Sequence, residues 1–199
     1  ISPDETLRIV QELYEKKLVT YPRTDARVLS TAVAKEIHKN LNGLMKYEPA
    51  VSYLQEIVSF GSHKGLAKTR YVNDKQITDH YAIIPTGQGI GALKSVSALS
   101  AKVYDVIVKR FLSIFYPAAV YQKVSITTKV KEESFFSNFK VLAEAGYLKA
   151  VNEENQSQEK SADQKMFERV NALKKGMVFP VSAFEIKEGK TSPPKRYNS

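Results

Sequence analysis

Tyr21 and Arg23 stand two residues apart in the stretch LVTYPRTDARVLS, residues 18–30. A neutral phenol, with a reference pKa of about 10, is a weak nucleophile unless a group accepts its proton or a positive charge lies close. Arginine carries a permanent charge on a planar fork that matches phosphate oxygens. The pair can therefore attack a phosphodiester and hold the phosphate under attack. A phosphotyrosine link conserves the energy of the broken bond, so a backbone could be opened and resealed without ATP. A turn tyrosine beside a solvated arginine is the competing reading.

His80, in TDHYAIIPT at 78–86, is one of three histidines. It can donate a hydrogen bond to a phosphate or shuttle a proton; a capping or surface histidine is the alternative. His38 and His63 read as ordinary helix-surface and loop residues. Metal-dependent phosphate chemistry needs clustered carboxylates. Asp25, Asp74 and Asp79 are scattered, and the acidic run Glu153–Glu159 falls in a polar loop, so no intrinsic metal site is expected. GQGIGA, residues 87–92, lacks the spacing of a dinucleotide loop and reads as a flexible turn. GKTSPPKRY, residues 189–197, carries Lys195 and Arg196 after a Pro-Pro pair. It could contact a nucleic-acid backbone, or simply be an exposed polyproline II segment.

The elements that must position these residues follow from capping and periodicity. Ser2, Pro3 and Glu5 mark a helix start as cap, first-turn proline and capping-box acid. Leu7, Val10, Tyr14 and Leu18 give that helix an apolar face, and Pro22 should end it by Leu18–Thr20. Tyr21 would then lie at a junction, presented rather than packed. A second helix is expected from Ser30, with Val33, Ile37 and Leu41 on one face, and a third over 49–60. Residues 60–76 read as loop. The strongest helical pattern spans 98–115, with Val103, Ile107, Phe111 and Phe115 in line, and Tyr116-Pro117 ends it. Beyond it KVSITTKV, SFFSNFKVLAEAGYLKAV and MVFPVSAFEIKEG read as strands. NEENQSQEKSADQK, residues 152–165, reads as a polar loop. The expected class is therefore α+β and multidomain: a mostly helical domain over 1–116, then a mostly antiparallel β segment over 117–199.

Bulk composition narrows the partners. Of 199 residues 43% are hydrophobic, enough to build a core. The net charge of +9 favours a polyanion such as nucleic acid. With no cysteine, disulfides, thiolate metal sites and a cysteine nucleophile are excluded. No apolar run approaches the ~20 residues of a membrane span. The ends read as those of a piece excised from a longer chain.

Three stretches together resemble a known family. QELYEKKLVTYPRTDARVLS resembles the active-site stretch of type IA DNA topoisomerases, with the proline after the tyrosine in the manner of the topoisomerase III branch. ITDHYAIIPT resembles the family's second motif, and TSPPKRY its third. The three occur in family order and span nearly the whole chain. The resemblance implies that Tyr21 attacks DNA and forms a 5′-phosphotyrosyl link, that Arg23 positions the scissile phosphate, and that His80 lies near it. Gln11, Thr24, Asp25 and Thr86 would help place DNA, as would Lys195 and Arg196. Two departures stand out: Ala26 replaces a serine usual after the first motif, and Ser192 replaces the lysine of the third.

The resemblance further implies a helical, winged-helix-like tyrosine domain followed by part of the arch around a strand-passage hole. The acidic Mg²⁺ site would belong to an amino-terminal Toprim domain of the same parent chain, and this piece would itself bind no cofactor. Without that domain Tyr21 should be solvent-exposed and loosely held. Expected partners are single-stranded DNA and the Toprim domain, with no membrane, in a cytoplasmic, nucleoid-associated setting. A tyrosine relaxase or recombinase fits less well, because the histidines are scattered and the motif order differs. A non-catalytic basic module for single-stranded nucleic acid remains the main alternative.

Overall fold

The computed structural model describes residues 1–151, 165, 168–183, 185–186, 188–191 and 193. Helix α1 spans Pro3–Glu15, with the Ser2 hydroxyl oxygen accepting a hydrogen bond from the Glu5 N–H at 3.1 Å. It ends earlier than the proline alone requires. Lys17 takes a left-handed conformation (φ 62°) and donates its N–H to the Tyr14 carbonyl at 2.8 Å, while the Leu18 N–H reaches the Leu13 carbonyl at 2.9 Å. This is a Schellman cap, and its usual apolar contact is supplied by Leu13 and Leu18, both fully buried. Each buried leucine contributes about 1.5–3 kcal/mol relative to exposure.

The buried face of α1 is Ile9, Val10 and Leu13; Leu7 and Tyr14, expected on the apolar face, are exposed. The expected stripe is a single arc of the helix, and the buried face is rotated from it so that, within α1, only Val10 lies on both.

Helix α2, Thr31–Leu44, is capped by the Ser30 hydroxyl and buries Ala34, Ile37, Leu41 and Leu44. The Asp74 carboxylate also accepts from the Thr31 N–H and hydroxyl, at 2.8 and 2.6 Å, and these bonds hold its pKa below the usual carboxylate value. A 3₁₀ turn, Glu48–Ala50, leads into α3, Val51–Phe60, which Gly61 closes in the left-handed region. The expected loop that follows contains 3₁₀ turns at Ser62–Lys68 and Asp74–Gln76. Helix α4, Ala98–Ser113, buries Tyr104, Val108, Phe111 and Leu112. Val103 and Ile107 are only partly buried, so the true stripe is rotated by about one residue from the expected one. Helices α1 to α4 share one apolar core.

Strands β1, Val120–Val130, and β2, Glu133–Glu144, form an antiparallel hairpin whose two-residue turn places Lys131 at φ 53°. The fold is thus mixed helix and strand with a two-stranded antiparallel sheet. Two strand expectations are corrected. Residues 148–151, expected to extend β structure, form a short helix, α5, Leu148–Val151, whose Ala150 is buried in the helical core. The described residues of the alternating stretch 177–189 form no strand. Of the expected polar loop, 152–164 lies outside the described residues.

Candidate functional site

Two segments far apart in sequence meet beside the end of α1. Residues 18–20 pair antiparallel with 84–86: the Thr20 N–H donates to the Ile84 carbonyl at 3.0 Å and the Thr86 N–H to the Leu18 carbonyl at 3.0 Å. The Thr20 hydroxyl donates to the Ala82 carbonyl at 3.2 Å and accepts from the Ile84 N–H at 3.0 Å. Further along, the Ala82 N–H donates to the Val28 carbonyl at 2.9 Å. Backbone groups along this seam thus find their partners across it.

The seam sets Tyr21 against His80. Their ring centroids lie 4.6 Å apart at 51°, and Tyr14 packs edge-on to Tyr21 at 5.2 Å. Tyr21 is therefore half-buried between two rings of its own chain, not free in solvent as expected. Thr24 fixes the histidine's backbone: its hydroxyl donates to the His80 carbonyl at 2.8 Å and accepts from the Ala26 N–H at 3.0 Å.

An open cleft of about 530 Å³ lies over this cluster, lined among others by Tyr14, Lys17, Tyr21, His80 and Tyr81. Thr86 also lines it, with its hydroxyl donating to the Lys17 carbonyl and accepting from the Gln88 N–H at 3.0 Å. Arg23 and Asp25 are exposed on the loop beyond Tyr21 and do not line the cleft. Gln11 sits one turn back on α1, where its amide donates to Glu15, a cleft residue, at 3.1 Å. Lys195 and Arg196 fall outside the described residues.

Sequence reasoning missed Tyr14, Lys17, Tyr81 and Gln88. Tyr14 was readable as the residue seven before Tyr21; the others depend on the seam, which has no local signature.

Glycines let the second wall of the cleft close down. Gly87 (φ 76°) lies against α2, where a Cβ would come within 2.6 Å of the Asn40 carbonyl oxygen. Gly89 (φ 65°) packs on α1's end, where a Cβ would meet the Lys16 carbonyl oxygen at 2.3 Å. The turn expected at GQGIGA is thus a tightly packed one. The Asn40 amide adds a hydrogen bond to the Pro85 carbonyl at 2.9 Å.

A profile of the DNA topoisomerase family matches residues 1–199. The chain belongs to the DNA topoisomerase family. Among its curated relatives, DNA topoisomerase 3 of Bacillus subtilis (strain 168) is 39% identical over 99% of this chain and 26% of its own length. DNA topoisomerase 3 of Bacillus licheniformis is 35% identical, and that of a Bacillus cereus strain 33%, with the same coverage. The chain thus spans about a quarter of the length of these relatives. The resemblance drawn from the three motifs holds at the level of the topoisomerase family and its topoisomerase 3 members.

Among the described residues no three histidine, aspartate or glutamate side chains gather as a metal site. Nor is any described helix long and apolar enough to cross a membrane.

Proposed function

We propose that this chain is the tyrosine-bearing central portion of a type IA topoisomerase of the topoisomerase III kind. Tyr21 attacks one strand of DNA, forms a 5′-phosphotyrosyl intermediate, and releases the strand by the reverse reaction after another strand has passed. The phenol gives up its proton as its Oη bonds to phosphorus and the P–O3′ bond breaks, and the 3′ oxygen leaves and takes up a proton. Religation is the reverse, with both reacting ends held, so it proceeds as an effectively intramolecular step. The observation that carries this reading is the Tyr21–His80 ring pair in an open cleft of a topoisomerase-family chain.

In this reading His80 hydrogen-bonds the phosphate on the tyrosine side. Arg23, on a long side chain beside the cleft, offers its fork to the same phosphate once DNA lies across both. Preplaced positive charge at a developing phosphorane is a large contribution to such catalysis. Gln11, Thr24, Asp25 and Thr86 hold the DNA or the loops that meet it, with Lys195 and Arg196 as backbone contacts.

The reading also assigns residues 1–116 to a winged-helix-like domain and 117–199 to the arch. A Toprim domain of the same parent chain would close over Tyr21 and supply the Mg²⁺ site. The location that goes with this role is cytoplasmic, at the nucleoid.

Supercoiled plasmid relaxation tests the proposal. The full-length protein with Mg²⁺ should relax plasmid, its Tyr21→Phe variant should not, and the 199-residue chain alone should be inactive. Relaxation by the Tyr21→Phe protein would instead favour a basic module that only binds single-stranded nucleic acid.

A further inference from the structure

Among the described residues that line the cleft, Lys17 is the one lysine or arginine; the cation expected there from sequence, Arg23, stands outside it. Lys17 also holds an unusual backbone conformation. Its φ of 62° lies in the left-handed region, which glycine enters freely and an L side chain does not. The Schellman cap of α1 requires that conformation at this position, and glycine is its common occupant.

The backbone here is fixed from both sides. The Leu18 N–H is tied to the Leu13 carbonyl, the Thr86 hydroxyl donates to the Lys17 carbonyl, and Gly89 packs directly on the Lys16 carbonyl. A strained residue held so firmly beside Tyr21 points to a use for its side chain.

We infer that Lys17 is a phosphate-contacting residue, which holds a backbone phosphate of the bound single strand at the wall of the cleft formed by the end of α1. The inference rests on the DNA-cleaving role proposed for this cleft. Glu15 lines the same cleft, but its carboxylate is engaged by the Gln11 amide. The competing explanation is a purely structural one: a cation past the last turn of a helix is favourable with the helix dipole. The two differ in what salt does to DNA binding, since only a lysine on a phosphate releases a counterion.

The test is fluorescence anisotropy of a labelled oligothymidylate with the 199-residue chain and its variants, over a series of salt concentrations. Lys17→Gly suits the left-handed backbone, so its thermal midpoint should match or exceed the wild type. Its slope of log K against log salt should fall by about 0.7, which is roughly a fivefold loss of affinity at 0.1 M salt. Lys17→Arg should restore most of the binding. Lys39→Ala, which removes an exposed lysine of α2 paired with Glu36, should leave the slope nearly unchanged.

An unaltered slope in Lys17→Gly, or an equal drop in Lys39→Ala, overturns the assignment of Lys17 while leaving the proposed role of the cleft intact. Complete absence of wild-type binding overturns both.

Discussion

The Thr24 hydroxyl donates to the backbone carbonyl of His80 at 2.8 Å, across 56 positions of sequence. That one bond fastens the loop carrying Tyr21 to the segment carrying His80. The aromatic contact between Tyr21 and His80 then follows from backbone that is already fixed. In the proposed role of Tyr21 as nucleophile, this fastening aims the side chain before substrate arrives, which lowers the reorganisation needed at the moment of reaction.

Thr24→Val keeps the shape of the side chain and removes the bond. It leaves the His80 carbonyl and the Ala26 N–H without this partner. The expected cost is about 1 kcal/mol in urea unfolding, because both groups can turn to water. Strand cleavage by the full-length protein should slow roughly tenfold as His80 loses its position. Full cleavage activity with an unchanged unfolding midpoint would show that Thr24 does not fasten the site.

Gly43 tests how tightly the second wall sits on α2. In an exposed helix interior, Gly→Ala is worth up to about 1 kcal/mol of added stability. Here the new Cβ would lie 2.3 Å from the Gly87 carbonyl oxygen, a backbone atom that cannot swing aside. The clash should win, with Gly43→Ala destabilising by about 2 kcal/mol or more. Calorimetry of the variant decides the sign; a raised midpoint would mean that the wall is loosely packed.

Acid should loosen the joint between the helices and the hairpin. Glu56 on α3 pairs with Lys149 of α5 at 2.6 Å and accepts the Tyr116 hydroxyl at 2.8 Å. The Lys149 hydrogen bond is the largest cause of a lowered Glu56 pKa, with the Tyr116 bond adding to it; burial opposes them. A carboxylate whose folded pKa is depressed contributes stability above its unfolded value of about 4.3, and loses it as pH falls through the folded value. Glu56→Gln should therefore be less stable than wild type at pH 7, with the gap closing below about pH 4. A gap independent of pH would contradict this pairing. Tyr116 moves the other way: burial, with the bond to Glu56, raises its phenol pKa, so it stays protonated as a donor.

Tyr104 carries a cost that the fold absorbs. Its side chain is fully buried, packs edge-on to Tyr47 at 5.3 Å, and its hydroxyl has no hydrogen-bond partner among the described residues. Burial raises the pKa of this phenol. Tyr104→Phe keeps the ring contact and removes the unpaired hydroxyl, so stability should hold or rise by up to about 1 kcal/mol. A clear loss in urea unfolding would reveal a partner for the hydroxyl.

Local chemistry was legible along the chain, and long-range pairing was not. Ser2 and Ser30 announced their helices because capping depends on residues within one turn. Tyr21, Arg23 and His80 stood out because their types suit phosphate chemistry and because they fall in stretches that resemble the family's motifs. The cleft that unites Tyr21 with His80 depends on residues 18–20 meeting 84–86, a contact with no local mark. The described residues of 177–189 show the reverse failure: a strand-like period does not by itself make a strand. Lys17 was missed because a lysine after a helix reads as solvated, and its left-handed backbone is visible only once the cap is folded.

The central claim is that Tyr21 is a nucleophile toward DNA. The direct measurement mixes the full-length protein with end-labelled single-stranded DNA and Mg²⁺, quenches with denaturant, and separates DNA that remains bound to protein. The expected result is a covalent adduct through a 5′ phosphate that disappears in Tyr21→Phe. An adduct that survives Tyr21→Phe, or no adduct at all, would make Tyr21 a turn residue and contradict the claim.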